Sequence, residues 1–412
     1  MIKVDKIEKA YLRIAEVIEE TPFLKNNNLS KKYDCNIFLK REDMQSVRSF
    51  KIRGAYNKIK TLSKSETVHG IVCASAGNHA QGVAMSCAKL QIKGTIYMPH
   101  PTPKQKINKV KQFGGKWVEV ILQGDTFDDA NEYAIKDANN NNKSFVHPFN
   151  DIEVMAGQGT IAKEIIQQTP VPLDYLLVAV GGGGLISGIG SYFKQVSPNT
   201  KIIAIESVGA AALNISLQHK KRTKLEKIDA FADGIAVKEI GDKTFKIIQE
   251  VINDNLVVPE GAICSAILSL YNEDAIVVEP AGAVAVAALS QITNQIKGKN
   301  VGIIISGGNN DVNRTQEITE RALLYEGKKH YFIVKFPQRA GALRDFLNVL
   351  GPNDDITHFE YTKKTNRANG PALVGIEVKN RLDFDTLTQR MTNQGINFEH
   401  INNNPMLFEM LV

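Results

Sequence analysis

The chain has 412 residues, 43% hydrophobic and 23% charged, the balance of a globular protein with room for two or three domains. Its formal charge of +6, from 50 basic against 44 acidic residues, is too weak over this length to point to nucleic acid or a membrane surface. Cys35, Cys73, Cys87 and Cys264 stand far apart with no CxxC pair, which offers neither a zinc site nor a disulfide framework and fits a reducing compartment.

The first segment, MIKVDKIEKAYLRIAEVIEE, is amphipathic and lacks the continuous apolar stretch of a signal peptide, so the cytoplasm is the expected location. Runs at 36–40, 70–74, 94–98, 117–122, 175–180, 201–205 and 301–305 read as strands. They are apolar along most of their length, as in parallel sheets covered by helices on both faces. Helical patterns lie between them, for example Ile107, Val110 and Lys111 before a Gly114-Gly115 stop. This alternation predicts an α/β fold with two parallel sheets and a large helical insertion near residues 50–150. Asn139 to Asn142 read as a surface loop, and the basic run at 219–224 as a solvated one. The Ala-rich run at 281–289 reads as a buried helix, and no apolar run approaches the roughly 20 residues of a membrane span.

The pattern changes near Lys328. A strand at 330–336 ends at Pro337, and Leu343, Phe346, Leu347 and Leu350 follow on one helical face. Strands at 356–361 and 372–378 come next. A helix then carries Phe384, Leu387 and Met391, with Asp383 placed to cap it and Gly395 to end it; a strand at 397–401 comes last. The order βαββαβ is that of a ferredoxin-like α+β sandwich.

Four segments carry chemistry. Gly181, Gly182, Gly183 and Gly184 follow an apolar strand and lead into a helix at Leu185. Such a turn aims backbone N–H groups and a helix dipole at one point, a phosphate cradle; the bland alternative is a tight turn with no ligand. No frame of GGGGLISGIG supplies the G-x-G-x-x-G of a dinucleotide site, although Glu206 stands where a ribose-binding acid could lie. In Ser49-Phe50-Lys51-Ile52-Arg53-Gly54, apolar neighbours can desolvate Lys51 and make it a nucleophile toward an aldehyde. Ser75-Ala76-Gly77-Asn78-His79 either presents free N–H groups to an anion or caps its own helix through Ser75 or Asn78, and His79 by itself reads as a packed histidine. Ser306-Gly307-Gly308-Asn309 ends a parallel strand, where α/β sheets collect ligand groups.

Taken in order, these four segments resemble the signature of fold-type II pyridoxal-phosphate enzymes, and among them the threonine dehydratases. Glu42-Asp43 before Gln45, His147-Pro148-Phe149 and Gly157-Gln158-Gly159-Thr160 extend the likeness, which runs from residue 1 to about 320. The resemblance implies that Lys51 holds pyridoxal 5'-phosphate as a Schiff base and takes the substrate α-proton. It implies that Phe50 packs on the pyridine ring and that Asn78 bonds its phenolic oxygen. Gly181, Gly182, Gly183, Gly184 and Leu185 would hold the phosphate, and Ser306 would face the ring nitrogen. Ser75, Gly77, Asn78 and His79 would surround the carboxylate of L-threonine. A hydroxyl at Ser306 leaves the ring nitrogen neutral, which favours prompt loss of the β-hydroxyl. Ala76 stands where racemising relatives carry a second serine, and Ala212 where metal-binding ones carry an aspartate, so neither racemisation nor a metal is expected.

Phe336-Pro337-Gln338-Arg339-Ala340-Gly341-Ala342-Leu343 resembles the ACT-like regulatory module of biosynthetic threonine dehydratases. The expected layout is a catalytic domain over 1–325 and one such module over 328–412, with isoleucine or valine as effector and a homotetramer as the assembly. A purely structural use of the module, as an oligomer contact, stays open. So do a nicotinamide oxidoreductase and a non-catalytic amino-acid sensor.

Overall fold

Runs of Ile, Val and Leu form the middle strands of two sheets, where adjacent strands and covering helices remove both faces from water. The computed structural model describes residues 1–363 and 368–411, so Val412 lies outside the described residues. The chain divides into two units, Met1–Asp311 and Val312–Val412.

In the first unit the strands are β1 (Phe23–Lys25), β2 (Asn36–Arg41), β3 (Ile71–Ala74), β4 (Gly94–Met98) and β5 (Val118–Leu122). There follow β6 (Ser144–Phe145), β7 (Tyr175–Ala179), β8 (Lys201–Ser207), β9 (Asp254–Val258) and β10 (Asn300–Ile305). One sheet has the order β1-β2-β10-β7-β8-β9 and the other β5-β4-β3-β6. Every pairing is parallel except β1 with β2. All seven expected strands are present, and β1, β6 and β9 are additional. Two of those are three residues or fewer, and β9 starts on Asp254-Asn255 at a sheet edge, so none carries an apolar run.

The segment expected as a helical insertion is a second α/β layer. Its sheet β5-β4-β3-β6 packs with the helices Asn78–Leu90, Lys104–Gly114 and Phe127–Asn140. Asn139 and Asn140 complete the last of these rather than forming a loop, and the turn falls at Asn141 and Asn142. The helix Lys51–Thr61 is pressed against the helix Ile152–Gln168. A Cβ on Gly157 would come within 2.7 Å of the Gly54 Cα, so bare glycine is what lets the backbones meet. Gln158 Oε1 accepts the Gly54 N–H at 3.1 Å. The segment Gly157-Gln158-Gly159-Thr160 thus seats the helix that begins with Lys51. The run at 281–289 lies in the buried helix Pro280–Ala287 and the turn after it. Among the described residues no helix is long and apolar enough to cross a membrane.

The second unit contains β11 (Lys329–Pro337), β12 (Asp355–Tyr361), β13 (Asn369–Glu377) and β14 (Phe398–His400). They form an antiparallel sheet in the order β12-β13-β11-β14, the ferredoxin-like arrangement. One face buries Phe332, Val334, Val374, Phe346, Leu387 and Met391. The other buries Tyr331, Leu373 and Ile401 beneath Leu324, Leu407 and Phe408. Leu324 belongs to the helix Thr315–Tyr325, whose Glu320 accepts from the Tyr331 hydroxyl at 2.7 Å and pairs with Lys329. That helix goes with the second unit, and the helix Pro405–Leu411 had no counterpart in the expected pattern.

Two local expectations are corrected. Leu343 and Leu347 are 45% and 46% exposed; the short helix Ala342–Leu347 is anchored by Phe346, with Val349 beyond its end. Asp383 is the first residue of its helix rather than the cap, and its carboxylate accepts the N–H of Asn380 at 2.9 Å. Gly395, with φ +68, does end that helix, and the Ile396 N–H closes on the Met391 carbonyl at 3.0 Å.

Candidate active site

The glycine run leaves β7 and enters the helix Gly184–Val196, so its fourth member is already helical. Gly183 has φ +89, a backbone shape that glycine adopts without strain. No side chain caps this helix, so its first N–H groups have no capping partner. Thr244 Oγ1 donates to the Gly182 carbonyl at 2.7 Å and fixes the loop from behind. In Gly183→Ala, the left-handed backbone costs roughly 1–2 kcal/mol. The new Cβ would also lie 2.7 Å from Ile248 Cδ1 and 2.9 Å from Thr244 Cβ. The expected sum is about 2–5 kcal/mol, with weaker cofactor retention. Thermal melting and cofactor titration measure both, and a variant matching its parent in each would refute the argument.

Lys51 opens its helix directly after Phe50, with its Nζ 5.1 Å from the Phe50 ring centre. Burial pulls its pKa down to about 8, against a smaller upward pull from Glu279. The amine is therefore much closer to its neutral, nucleophilic form than a solvated lysine. The Phe50 N–H donates to the Ser306 carbonyl at 3.2 Å, and this ties the Lys51 turn to the end of β10. The Ser306 hydroxyl donates to the Ala281 carbonyl at 3.2 Å. Asn78 starts the helix Asn78–Leu90; its Nδ2 donates to Glu279 at 2.6 Å and its Oδ1 accepts from Asn309 at 2.7 Å.

One cleft, partly open to solvent, collects these groups. Phe50, Lys51, Asn78, Gly181, Gly182, Gly183, Gly184, Leu185 and Ser306 all line it. Ser75, Gly77 and His79 do not. Ser75 and Gly77 sit half-buried at the turn before the helix, where the Gly77 N–H donates to the Ser75 hydroxyl at 3.2 Å. Neither Ser75 nor Asn78 caps the helix. The His79 ring turns inward, with Nε2 2.9 Å from the Val146 carbonyl, and burial drives its pKa down to about 3. It is a packed, neutral histidine, so only its backbone can serve a carboxylate. Glu206 uses its carboxylate on the N–H groups of Leu213 and Asn214, at 2.7 and 2.8 Å, and so caps a short helix rather than meeting a ribose.

Glu279 and Phe149 also line the cleft. Phe149 lay inside a segment already singled out, but Glu279 had no mark. An acid before Pro280 reads simply as a helix start.

Residues 14–307 match the family of pyridoxal-phosphate-dependent enzymes, and residues 320–411 match the C-terminal regulatory domain of threonine dehydratase. The biosynthetic L-threonine dehydratase of Bacillus subtilis is 54% identical over 413 residues, covering 100% of this chain and 98% of that one. The chain belongs to the threonine dehydratases. The solved threonine deaminase isoform 2 of Solanum lycopersicum superposes with a TM-score of 0.73 at 40% identity, over 78% of this chain and 94% of that one. The serine racemase of Dictyostelium discoideum gives 0.70 at 32%, over 76% and 99%.

Like its family, this dehydratase depends on pyridoxal phosphate, and its cleft fits that group. A desolvated amine suits the aldehyde, and the uncapped N–H groups after the glycine run suit the phosphate. Ser306 offers a neutral hydroxyl, while a carboxylate there would demand a protonated ring nitrogen.

Proposed function

We propose that the cleft around Lys51 is where the enzyme deaminates L-threonine to 2-oxobutanoate and ammonia, the first step of isoleucine biosynthesis. One observation carries the site assignment: Lys51, the glycine run and Ser306 come from distant parts of the chain and line a single cleft. Pyridoxal phosphate, when bound, supplies an electron-withdrawing ring that acidifies the substrate α-carbon. The rest is done by this chain. Backbone N–H groups of Gly181 to Leu185 would hold the phosphate, Phe50 would pack on the ring, and Asn78 would offer an N–H to the phenolic oxygen. The Ser306 hydroxyl would face the ring nitrogen and, carrying no negative charge, would leave it neutral. N–H groups at the turn of Ser75, Gly77 and His79 take the carboxylate. The Lys51 amine removes the α-proton, the β-hydroxyl leaves as water, and the released enamine takes up water to give the keto acid and ammonia. L-Serine differs by one methyl, worth about 1–3 kcal/mol in binding, and is a side substrate. The buried free thiols of all four cysteines support a reducing, cytoplasmic setting.

Residues from 312 onward act as the regulatory module of a homotetramer, with isoleucine or valine as effector and isoleucine as inhibitor the first candidate. The loop at 337–343 supports a ligand pocket, because both amide atoms of Gln338 are buried there with no hydrogen-bond partner among the described residues. An unpaired buried amide costs about 1–3 kcal/mol, which an amino-acid ligand can relieve. Full-length enzyme should form 2-oxobutanoate from L-threonine and respond to isoleucine by about 5–150-fold in apparent affinity. A chain ending at Asp311 should stay active and lose that response. Equal sensitivity in both chains would place the effector in the catalytic unit. No sensitivity in either would leave the module an assembly role.

A further inference from the structure

Glu279 precedes the helix Pro280–Ala287, but its side chain accepts no capping hydrogen bond from it. Its side chain reaches Asn78 instead, accepting from Nδ2 at 2.6 Å. The Asn78 oxygen is taken by Asn309 Nδ2 at 2.7 Å, and Asn309 Nδ2 is also held by the Val47 carbonyl at 2.9 Å. This chain fixes the orientation of the Asn78 amide: its oxygen is used, one N–H goes to Glu279, and one N–H is left for a ligand. Glu279 is 5% exposed and lines the same cleft as Lys51. The other charged groups bearing on it are Asp233 and Lys106, which pair with each other.

We propose that Glu279 is a positioning residue for deamination, setting through Asn78 the amide that meets the cofactor and, across the cleft, how readily the Lys51 nitrogen carries a proton. This rests on the reading that Lys51 holds the cofactor and Asn78 contacts it. The need for a charge separates this role from packing. Orienting Asn78 requires only an acceptor, which a glutamine oxygen supplies equally well. A buried carboxyl is the costlier choice, and what it adds is an ionisable group lining the same cleft as a lysine. Burial first, then Asp233, raise its pKa to about 7, while Asn78, Lys106 and the Asn309 N–H pull the other way. Above that pH the carboxylate favours the protonated Lys51 nitrogen; below it that support is lost.

The test uses the holoenzyme and follows the visible band of the bound cofactor as pH is varied, alongside the pH profile of kcat/KM. In Glu279→Gln the midpoint of the band should fall by about one pH unit, the low end of what a nearby opposite charge contributes. The limb of kcat/KM near pH 7 that follows the ionisation of Glu279 should disappear. Glu279→Asp, which keeps the charge, should recover most of the shift. A Gln variant that titrates with the wild type would overturn the proposal. Should that variant fail to keep cofactor, Asp233→Asn serves instead. Removing the neighbouring charge should move the limb to lower pH, and an unmoved limb overturns the proposal. Wild-type protein lacking any cofactor band would instead refute the reading of Lys51, so the two failures are distinguishable.

Discussion

Lys51→Ala should abolish threonine deamination, with a fall in kcat on the order of 10³-fold or more, and the visible band of bound cofactor should vanish. The same nitrogen serves as nucleophile toward the aldehyde and as base toward the α-proton, and loss of a positioned base alone costs about 10²–10⁴-fold. The fold should survive. The Nζ makes no hydrogen bond or ion pair among the described residues, and it sits in a cleft rather than a closed core. The helix is held from the other side, by the contacts of Gly54 with Gln158 and of Arg53 with two carboxylates. Assays of keto acid, absorption and thermal melting on one preparation would separate the outcomes. Wild-type turnover in the variant would remove Lys51 from its role. A collapsed melting curve would mean that the residue is structural.

Arg53→Ala should lower stability by about 3–5 kcal/mol, because it strands buried carboxylates. Arg53 is fully buried. Its Nε and Nη2 meet the two oxygens of Glu42 at 2.8 Å each, and its Nη1 and Nη2 meet those of Glu164 at 2.5 and 2.8 Å. Lys40, equally buried, adds a 2.6 Å pair to Glu164. The cluster joins β2, the Lys51 helix and the helix Ile152–Gln168, the three elements behind the cleft. Burial pushes the Glu42 pKa up, but Arg53, together with Lys40 and the Thr21 hydroxyl, outweighs it and holds the carboxyl below its ordinary range. A lowered folded pKa means the contribution is full above the unfolded value and fades as pH falls through the lowered one. Wild-type stability should therefore drop in acid. In Arg53→Ala the stranded carboxylates should take up protons, so mild acid should destabilise the variant less than the wild type. Denaturant unfolding at neutral and acid pH would show both effects, and a neutral-pH loss below about 1 kcal/mol would mean the ion cluster is dispensable.

Much of this enzyme is written locally in its chain. A strand covered on both faces must be a short apolar run, which is why seven strands of the catalytic unit stand out and three short or polar edge strands do not. A phosphate cradle must be built from consecutive residues, so four glycines after β7 were readable as one. The βαββαβ order of the second unit follows from its own periodicity in the same way. Other features arose only on folding, because they depend on which distant backbone a side chain meets. Glu279 joins Asn78 across 201 positions, and Arg53 joins Glu164 across 111. Neither spacing leaves a periodic mark. His79 turns to the Val146 carbonyl although its neighbour Asn78 lines the cleft, because successive residues in the first turn of a helix point in different directions. Leu343 is exposed because the sheet it was patterned to cover is filled by Phe346 and Val349. Periodicity identifies which residues can share a face, whereas long-range packing settles which of them meet a partner there.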